Sequence, residues 1–402
     1  MEGCYQLFRI KVFPMQIPCT IHRLALAGFL FAFSIGHNTL NANAAFLNSI
    51  DETVLQQRVS QLELPVTPKY NATVREYIRR YVTSGHKDAE EMLGRSVIYF
   101  PIFEYYLNVY QLPQELKYLP IVESNLRPTV VSNAGATGLW QLMHSTASEL
   151  GLSVSGSLDE RRDPYKATEA AVRYLSTLYK RFGSWELALA AYNCGPGNVS
   201  KAVRLSGSTD FWKLREYLPS ETRHYIPRFI AASYVVNHYR EHSLLPERPE
   251  YDLQFTQTVK VFSELSFQKI SSISRVPVST IRALNPAYRQ SYIPRSSGGN
   301  FLILPKMGMQ AFKDYLKWSG YQTIKTDAPQ IAAQAAPGAS PFSPVTVTIE
   351  SPGQTLASIA ATYGCRTEVL MSWNSLSSRD LYFRQELVIY VPEGSPLALR
   401  NN

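Results

Sequence analysis

LPQELKYLPIVESNLRPTVVSNAGATGLWQLMHSTASELG, residues 112–151, is the stretch from which the rest of this 402-residue chain is read. Pro113 suits a first helical position and Gln114 and Glu115 fill a first turn, so a helix is predicted from Pro113. Leu116, Leu119 and Glu123 then stand at i, i+3 and i+7, which places a carboxylate on one face with two leucines. Such a carboxylate is costly unless it is paired or neutral, and desolvation raises its pKa. A general acid at neutral pH needs that shift. The other reading is a Glu at a helix end, solvated or paired with Arg127.

Small residues and turn formers follow. Gly135 and Gly138 allow backbone conformations or close approaches that a side chain would block. Trp140 and Gln141 lie in the apolar run LWQLM. An aromatic plane beside an amide suits a sugar ring, with its apolar face and polar rim, whereas core packing is the commoner use of a single Trp.

The segment ESNLRPTVVSNAGATGLWQLM resembles the signature of the lytic transglycosylases related to goose-type lysozyme, the soluble-lytic-transglycosylase-like family. Two later blocks agree in order: DERRDPYKATEAAVRYLSTLYKRFGSWELALAAYNCGPGNV (159–199) and ETRHYIPRFIAA (221–232). The second is similar to the membrane-bound murein transglycosylase D subgroup. The resemblance implies a peptidoglycan-cleaving enzyme with Glu123 as catalytic acid/base. It implies substrate contacts from Ser124, Ser132, Gln141, Met143, Tyr192 and Asn193. His144 stands where the family usually has Pro.

Glycoside hydrolysis normally uses two carboxylates. No carboxylate lies between Glu123 and Glu149. The resemblance therefore implies a one-carboxylate route: Glu123 protonates the glycosidic oxygen, then takes the proton of the C6 hydroxyl of N-acetylmuramic acid. That hydroxyl closes on C1 to give a 1,6-anhydro sugar, with the proximity advantage of an internal nucleophile. Two alternatives stand beside it. A lysozyme-like hydrolase would draw a second carboxylate from Asp159, Glu160 or Asp163, although Asp163-Pro164 reads as an N-cap and first turn. A catalytically inactive glycan-binding scaffold would use the same fold.

Arg9, Lys11 and Arg23 precede the apolar run 24–33, and Ala42-Asn43-Ala44 follows it. That order is expected of a secretory signal peptide cleaved after Ala44, which implies a periplasmic protein with at most loose membrane association. Cys4 and Cys19 fall in that segment. Cys194 and Cys365 fall in separate predicted domains, which argues against a structural disulfide. No metal site and no cofactor are expected.

The expected organisation is a signal peptide (1–44), an N-terminal extension (45–70) and a mainly α, lysozyme-like catalytic domain (71–246). A divergent LysM-like α+β module (250–306) follows, with Leu284-Asn285-Pro286 where Trp-Asn is usual. The Ala/Pro/Ser-rich stretch within 307–344 reads as a linker. VTVTIESPGQTLASIAATYGCRTEVLMSWNSLSSRDLYFRQELVIYVP (345–392), in a terminal unit taken to residue 393, resembles a β-α-α-β LysM repeat. That resemblance implies glycan contacts at Gly353, Gln354, Thr355 and Leu356. A tethered glycan binder raises the effective substrate concentration. The formal charge of +8 is scattered, with no nucleic-acid motif, so the implied partner is the peptidoglycan glycan strand, not nucleic acid.

Overall fold

The computed structural model of the chain describes residues 52–247, 249–319, 342–349, 354–363 and 385–392, with 367, 370, 371, 374, 376 and 378–381 between the last two. The predicted signal segment with Cys4 and Cys19 lies outside the described residues, as do Gly353, Cys365 and Trp373.

Helices dominate up to His238, as expected of a mainly α domain. They are α1 (Glu52–Ser60), α2 (Ala72–Val82), α3 (His86–Val109), α4 (Leu119–Ser124), α5 (His144–Glu149) and α6 (Pro164–Phe182). Then come α7 (Trp185–Cys194), α8 (Pro196–Ser206), α9 (Phe211–Leu214), α10 (Ser220–Arg223) and α11 (Tyr225–His238). Their ends follow local chemistry. Asn71 accepts from the Val74 N–H and Ser184 from the Leu187 N–H. Asp163 accepts from the N–H groups of Tyr165 and Lys166, with Pro164 at the first turn as predicted.

The centre is α11. Ten of its positions, including Tyr225, Ile226, Phe229, Ile230, Tyr234 and Val235, are buried around its whole circumference. A helix that is apolar on every face belongs in a core. It is packed by α2, α4 and α7, so the start of α11 meets the end of α4.

The helix predicted from Pro113 forms in two pieces. A 3-10 turn spans Gln114–Tyr118, and the α-helix proper is Leu119–Ser124 with Pro120 in its first turn. Pro120 has no N–H to continue a preceding ladder, so the hydrogen-bond pattern restarts there. Leu116 and Leu119 are fully buried on the face expected.

A second unit follows: α12 (Tyr251–Gln254), β1 (Thr256–Val261), β2 (Leu265–Ser266), α13 (Phe267–Ser274), α14 (Val278–Leu284), β3 (Tyr292–Ile293), β4 (Asn300–Pro305) and α15 (Lys306–Trp318). β1 pairs antiparallel with β4, Val259 facing Leu302. Met309, Phe312 and Leu316 of α15 complete its core with Phe267, Ile270 and Ile281. The start of the stretch expected as linker from 307 instead belongs to this module, because α15 carries an apolar face into it.

The terminal module pairs β5 (Phe342–Thr348) antiparallel with β6 (Glu386–Pro392) and caps α16 (Leu356–Thr362) with a reciprocal Thr355–Ser358 box. Both modules share one device. Asn285 Nδ2 donates to the carbonyls of Ile281 (2.8 Å) and Ile303 (2.7 Å), and its Oδ1 accepts from the Ile303 N–H (2.8 Å). Asn374 does the same with Leu370 O (2.9 Å), Val388 O (2.9 Å) and Val388 N–H (2.6 Å). Each Asn staples the second helical segment to the last strand, so Asn285 is the structural counterpart of the Asn in the terminal module's Trp373-Asn374. No helix among the described residues is long and apolar enough to cross a membrane.

Candidate active site

Glu123 is the last residue but one of α4, and the chain beyond it is tightly constrained. Asn125 (φ 53) and Leu126 (φ 57) both adopt left-handed backbone without being glycine. Such conformations cost energy and persist only where the surroundings over-determine them. Here Leu126 is fully buried and the Asn125 carbonyl accepts from Arg95 Nε at 3.1 Å. Arg127 turns away, pairing with Asp88 (3.1 Å) and Glu91 (3.2 Å). The alternative in which Arg127 neutralises Glu123 therefore does not hold.

The partner of Glu123 is the phenol of Tyr225, the first residue of α11, which donates to Oε1. Burial pushes the Glu123 carboxyl up to about 7, opposed by the Tyr225 hydrogen bond; Glu221 adds to the rise and Arg228 reduces it. The group is thus half protonated near neutrality, the condition for giving and then taking a proton. Tyr192 lies in the same field: burial, then the charge of Glu123, raises its phenol well above the ordinary value. Its hydroxyl donates to the Trp140 carbonyl at 2.7 Å. Asn193 Oδ1 accepts from Thr222 at 2.7 Å, tying α7 to α10. The ends of α4 and α7 and the start of α11 converge on one carboxyl.

The loop after Glu123 is shaped by glycine and by a buried ion pair. Gly138 (φ +86) sits so close to Arg161 that a Cβ would lie 1.9 Å from its carbonyl oxygen. Gly135 (φ +87) has open space around it and needs only the positive φ. Gln141 also has positive φ, and its amide donates to the carbonyls of Val130 (3.2 Å) and Gly138 (2.9 Å). Ser132 Oγ accepts from the Ala136 N–H at 3.0 Å, while Met143 is exposed at the end of the loop.

Two expected sugar contacts are corrected by their burial. Ser124 is buried and its hydroxyl donates to Pro120 O (3.0 Å) and Leu139 O (2.9 Å), so it ties the loop to α4. Leu356 is core, packed with Val345, Ile359 and Leu387. Trp140 is likewise fully buried, its indole donating to Thr168 at 2.9 Å and its ring edge-on to Phe103, so core packing is its use. Gln354 and Thr355 remain on the surface side of the terminal module, Thr355 serving as helix cap.

Asp159, Glu160 and Asp163 have other work. Asp159 grips Arg161 with two bonds of 2.9 Å, Glu160 accepts from the Ser153 N–H and pairs with Lys166, and Asp163 caps α6. Tyr225, Glu221 and Arg228 were not singled out as site residues, though all three lie in the ETRHYIPR block. Arg228 rests on the Tyr77 ring (5.4 Å to its centroid) and faces Glu221 at 3.9 Å. Burial raises the Cys194 thiol, as suits a small packed residue. No cluster with metal-ligand character occurs among the described residues. A small crevice lies elsewhere, between α3, the start of α6 and the second module, lined by Ile98, Tyr99, Tyr165, Leu284 and Ile303 among others.

Residues 100–215 match the transglycosylase SLT domain, 255–319 the LysM-like domain of the lytic transglycosylase MltD, and 351–389 the LysM domain. The chain is 32% identical over 284 residues to the membrane-bound lytic murein transglycosylase D of Escherichia coli K12, covering 69% of this chain and 60% of that protein. It thus spans less than two thirds of that relative's length. It is 33% identical over 144 residues to the soluble lytic murein transglycosylase of the same strain, covering 33% of this chain and 22% of the relative. The solved 70 kDa soluble lytic transglycosylase of Escherichia coli aligns at 22% identity and a TM-score of 0.34, covering 54% of this chain and 36% of that one. The chain thus carries a region similar to the transglycosylase SLT domain, followed by regions similar to the MltD LysM-like domain and to the LysM domain.

Proposed function

We propose that the chain is a peptidoglycan lytic transglycosylase. It cleaves the β-1,4 bond between N-acetylmuramic acid and N-acetylglucosamine and forms 1,6-anhydro-N-acetylmuramic acid, with Glu123 as single acid/base. The observation that carries this reading is the state of Glu123: desolvated, raised to about 7, and held by one phenol. As an acid it protonates the departing oxygen. As a carboxylate, steadied by Tyr225, it accepts the C6 hydroxyl proton of the same sugar. The candidate second carboxylates Asp159, Glu160 and Asp163 are occupied by Arg161, Lys166 and a helix N-terminus. Tyr192, Asn193, Gln141, Ser132 and Met143 line the approach, and Gln354 and Thr355, with Gly353, contact glycan in the terminal module. The enzyme acts in the periplasm after export by the 1–44 signal, with at most loose membrane association.

Hydrolysis of the same bond is the second reading, favoured by the electrostatic reach of Glu221 to Glu123. Glu221 is 70% exposed and faces Arg228, which suits a charge that tunes Glu123 better than one that activates water. Digestion of purified sacculi followed by mass spectrometry distinguishes the two. Anhydro-muropeptides, one water lighter than their reducing-end counterparts, are expected; a yield of reducing-end products alone overturns the transglycosylase reading.

A further inference from the structure

The segment 153–166 is held on two sides. Toward the second module, the Asp159 N–H donates to the Ala287 carbonyl (2.8 Å) and the Arg289 N–H to the Ser157 carbonyl (2.9 Å). Between these bonds Leu158 packs against the module's own core, bridging to Tyr288. The Lys166 ammonium lies over the Phe301 ring at 5.6 Å, and the Tyr165 hydroxyl faces Thr258 and Thr256.

Toward Glu123, the same segment grips the signature loop. The Asp159 carboxylate orients Arg161, whose Nη1 donates to the carbonyls of Gly135 (3.0 Å) and Leu142 (3.4 Å). The Arg161 carbonyl fills the space that a side chain at position 138 would need. Leu139, inside that loop, accepts from the hydroxyl of Ser124, the neighbour of Glu123. Asp159 and Arg161 are both almost completely buried. A desolvated ion pair is weak evidence of stability, because apolar residues of like volume do as well or better. This pair instead sets a geometry: it fixes two carbonyls on either side of the loop that carries Gln141 and ends at Met143.

We propose that the 255–319 module is a fixed brace for the catalytic groove, and that Asp159 and Arg161 are positioning residues that carry its hold to the loop beside Glu123. This rests on the reading of Glu123 as the acid/base. A module that only gathered substrate would alter wall binding and KM. A brace alters kcat, because displacement of a positioning element by about 1 Å can cost on the order of 100-fold.

The test uses the full chain with Leu158→Glu, which sets a charge in the docked face, and Leu158→Met as the conservative counterpart. Leu158→Glu is expected to lower kcat on short soluble glycan strands by about 10-fold or more. KM and binding to purified sacculi should stay unchanged. Amide exchange across residues 131–142 should speed up, and Leu158→Met should restore both readouts. Tyr165→Phe, which removes only a hydroxyl facing Thr258, covers the case in which Leu158→Glu does not fold and should move kcat and exchange in the same direction by less. Unchanged kcat and unchanged loop exchange in both folded variants overturn the brace, as does a loss confined to sacculus binding. The products released by the parent chain under the same conditions test the role of Glu123 separately.

Discussion

The phenol of Tyr225 donates to the carboxyl of Glu123 across 102 residues of chain, joining the first residue of one helix to the end of another. The bond favours the ionised carboxyl, while burial disfavours it more strongly. Tyr225→Phe removes the opposing influence, so Glu123 should titrate higher than about 7. The alkaline limb of the pH–rate profile should move up, with kcat lowered about 10- to 100-fold through lost positioning. A pH–kcat profile on soluble glycan checks both, and an unmoved limb removes Tyr225 from the site.

Glu123→Gln should reduce turnover by roughly 100- to 10,000-fold, the range that a positioned acid/base supplies. Release of soluble product from sacculi at the parental rate would end the catalytic assignment.

The same substitution has a stability signature. Glu123 titrates near 7 when folded against 4.5 when unperturbed. Between those values the folded chain binds more protons than the unfolded one, so this group's contribution to stability falls as pH rises through that window. Gln does not titrate. The stability of Glu123→Gln should therefore gain on that of the parent from pH 5 to pH 8, by on the order of 3 kcal/mol from the size of the shift. Denaturant titrations of both chains across that range check it, and a constant gap would mean that the carboxyl is not desolvated.

Gly138→Ala and Gly135→Ala separate two uses of glycine. At Gly138 a Cβ meets the Arg161 carbonyl at 1.9 Å, whereas at Gly135 it meets nothing within 4 Å. Gly135→Ala should cost about 1 kcal/mol, the penalty of positive φ alone. Gly138→Ala should cost well over about 2 kcal/mol, since backbone must move as well. Denaturant titration of both variants checks the order.

Asn285→Ala should unfold the second module selectively. Its side chain is buried, makes three hydrogen bonds and satisfies both the N–H and the carbonyl of Ile303. The loss should be about 2–3 kcal/mol, the cost of leaving buried backbone groups unpaired. Proteolysis that releases the 255–319 region ahead of the helical domain would report it.

Much of the site was legible locally. The Asp163-Pro164 cap, the positive-φ glycines and the apolar face of Leu116 and Leu119 with Glu123 are all short-range patterns, governed by sterics and hydrogen bonds within a few residues. Other features were misread for a physical reason. Ser124 and Leu356 stand beside functional positions in sequence, yet their burial depends on what packs over them. Trp140 was open to two uses, and contacts with Thr168 and Phe103 commit it to the core, the commoner of them.

The order of residues by itself determined the helical domain, the two β-α-α-β modules and the helix face that Glu123 shares with two leucines, because periodicity, capping and backbone freedom are properties of near neighbours. Only the tertiary structure decided that Tyr225 would hold that carboxyl, that Arg127 would ignore it, and that Arg161 would clamp the loop beside it. Desolvation and charge pairing act through space, and no spacing along the chain encodes which distant groups will share a solvent-poor pocket.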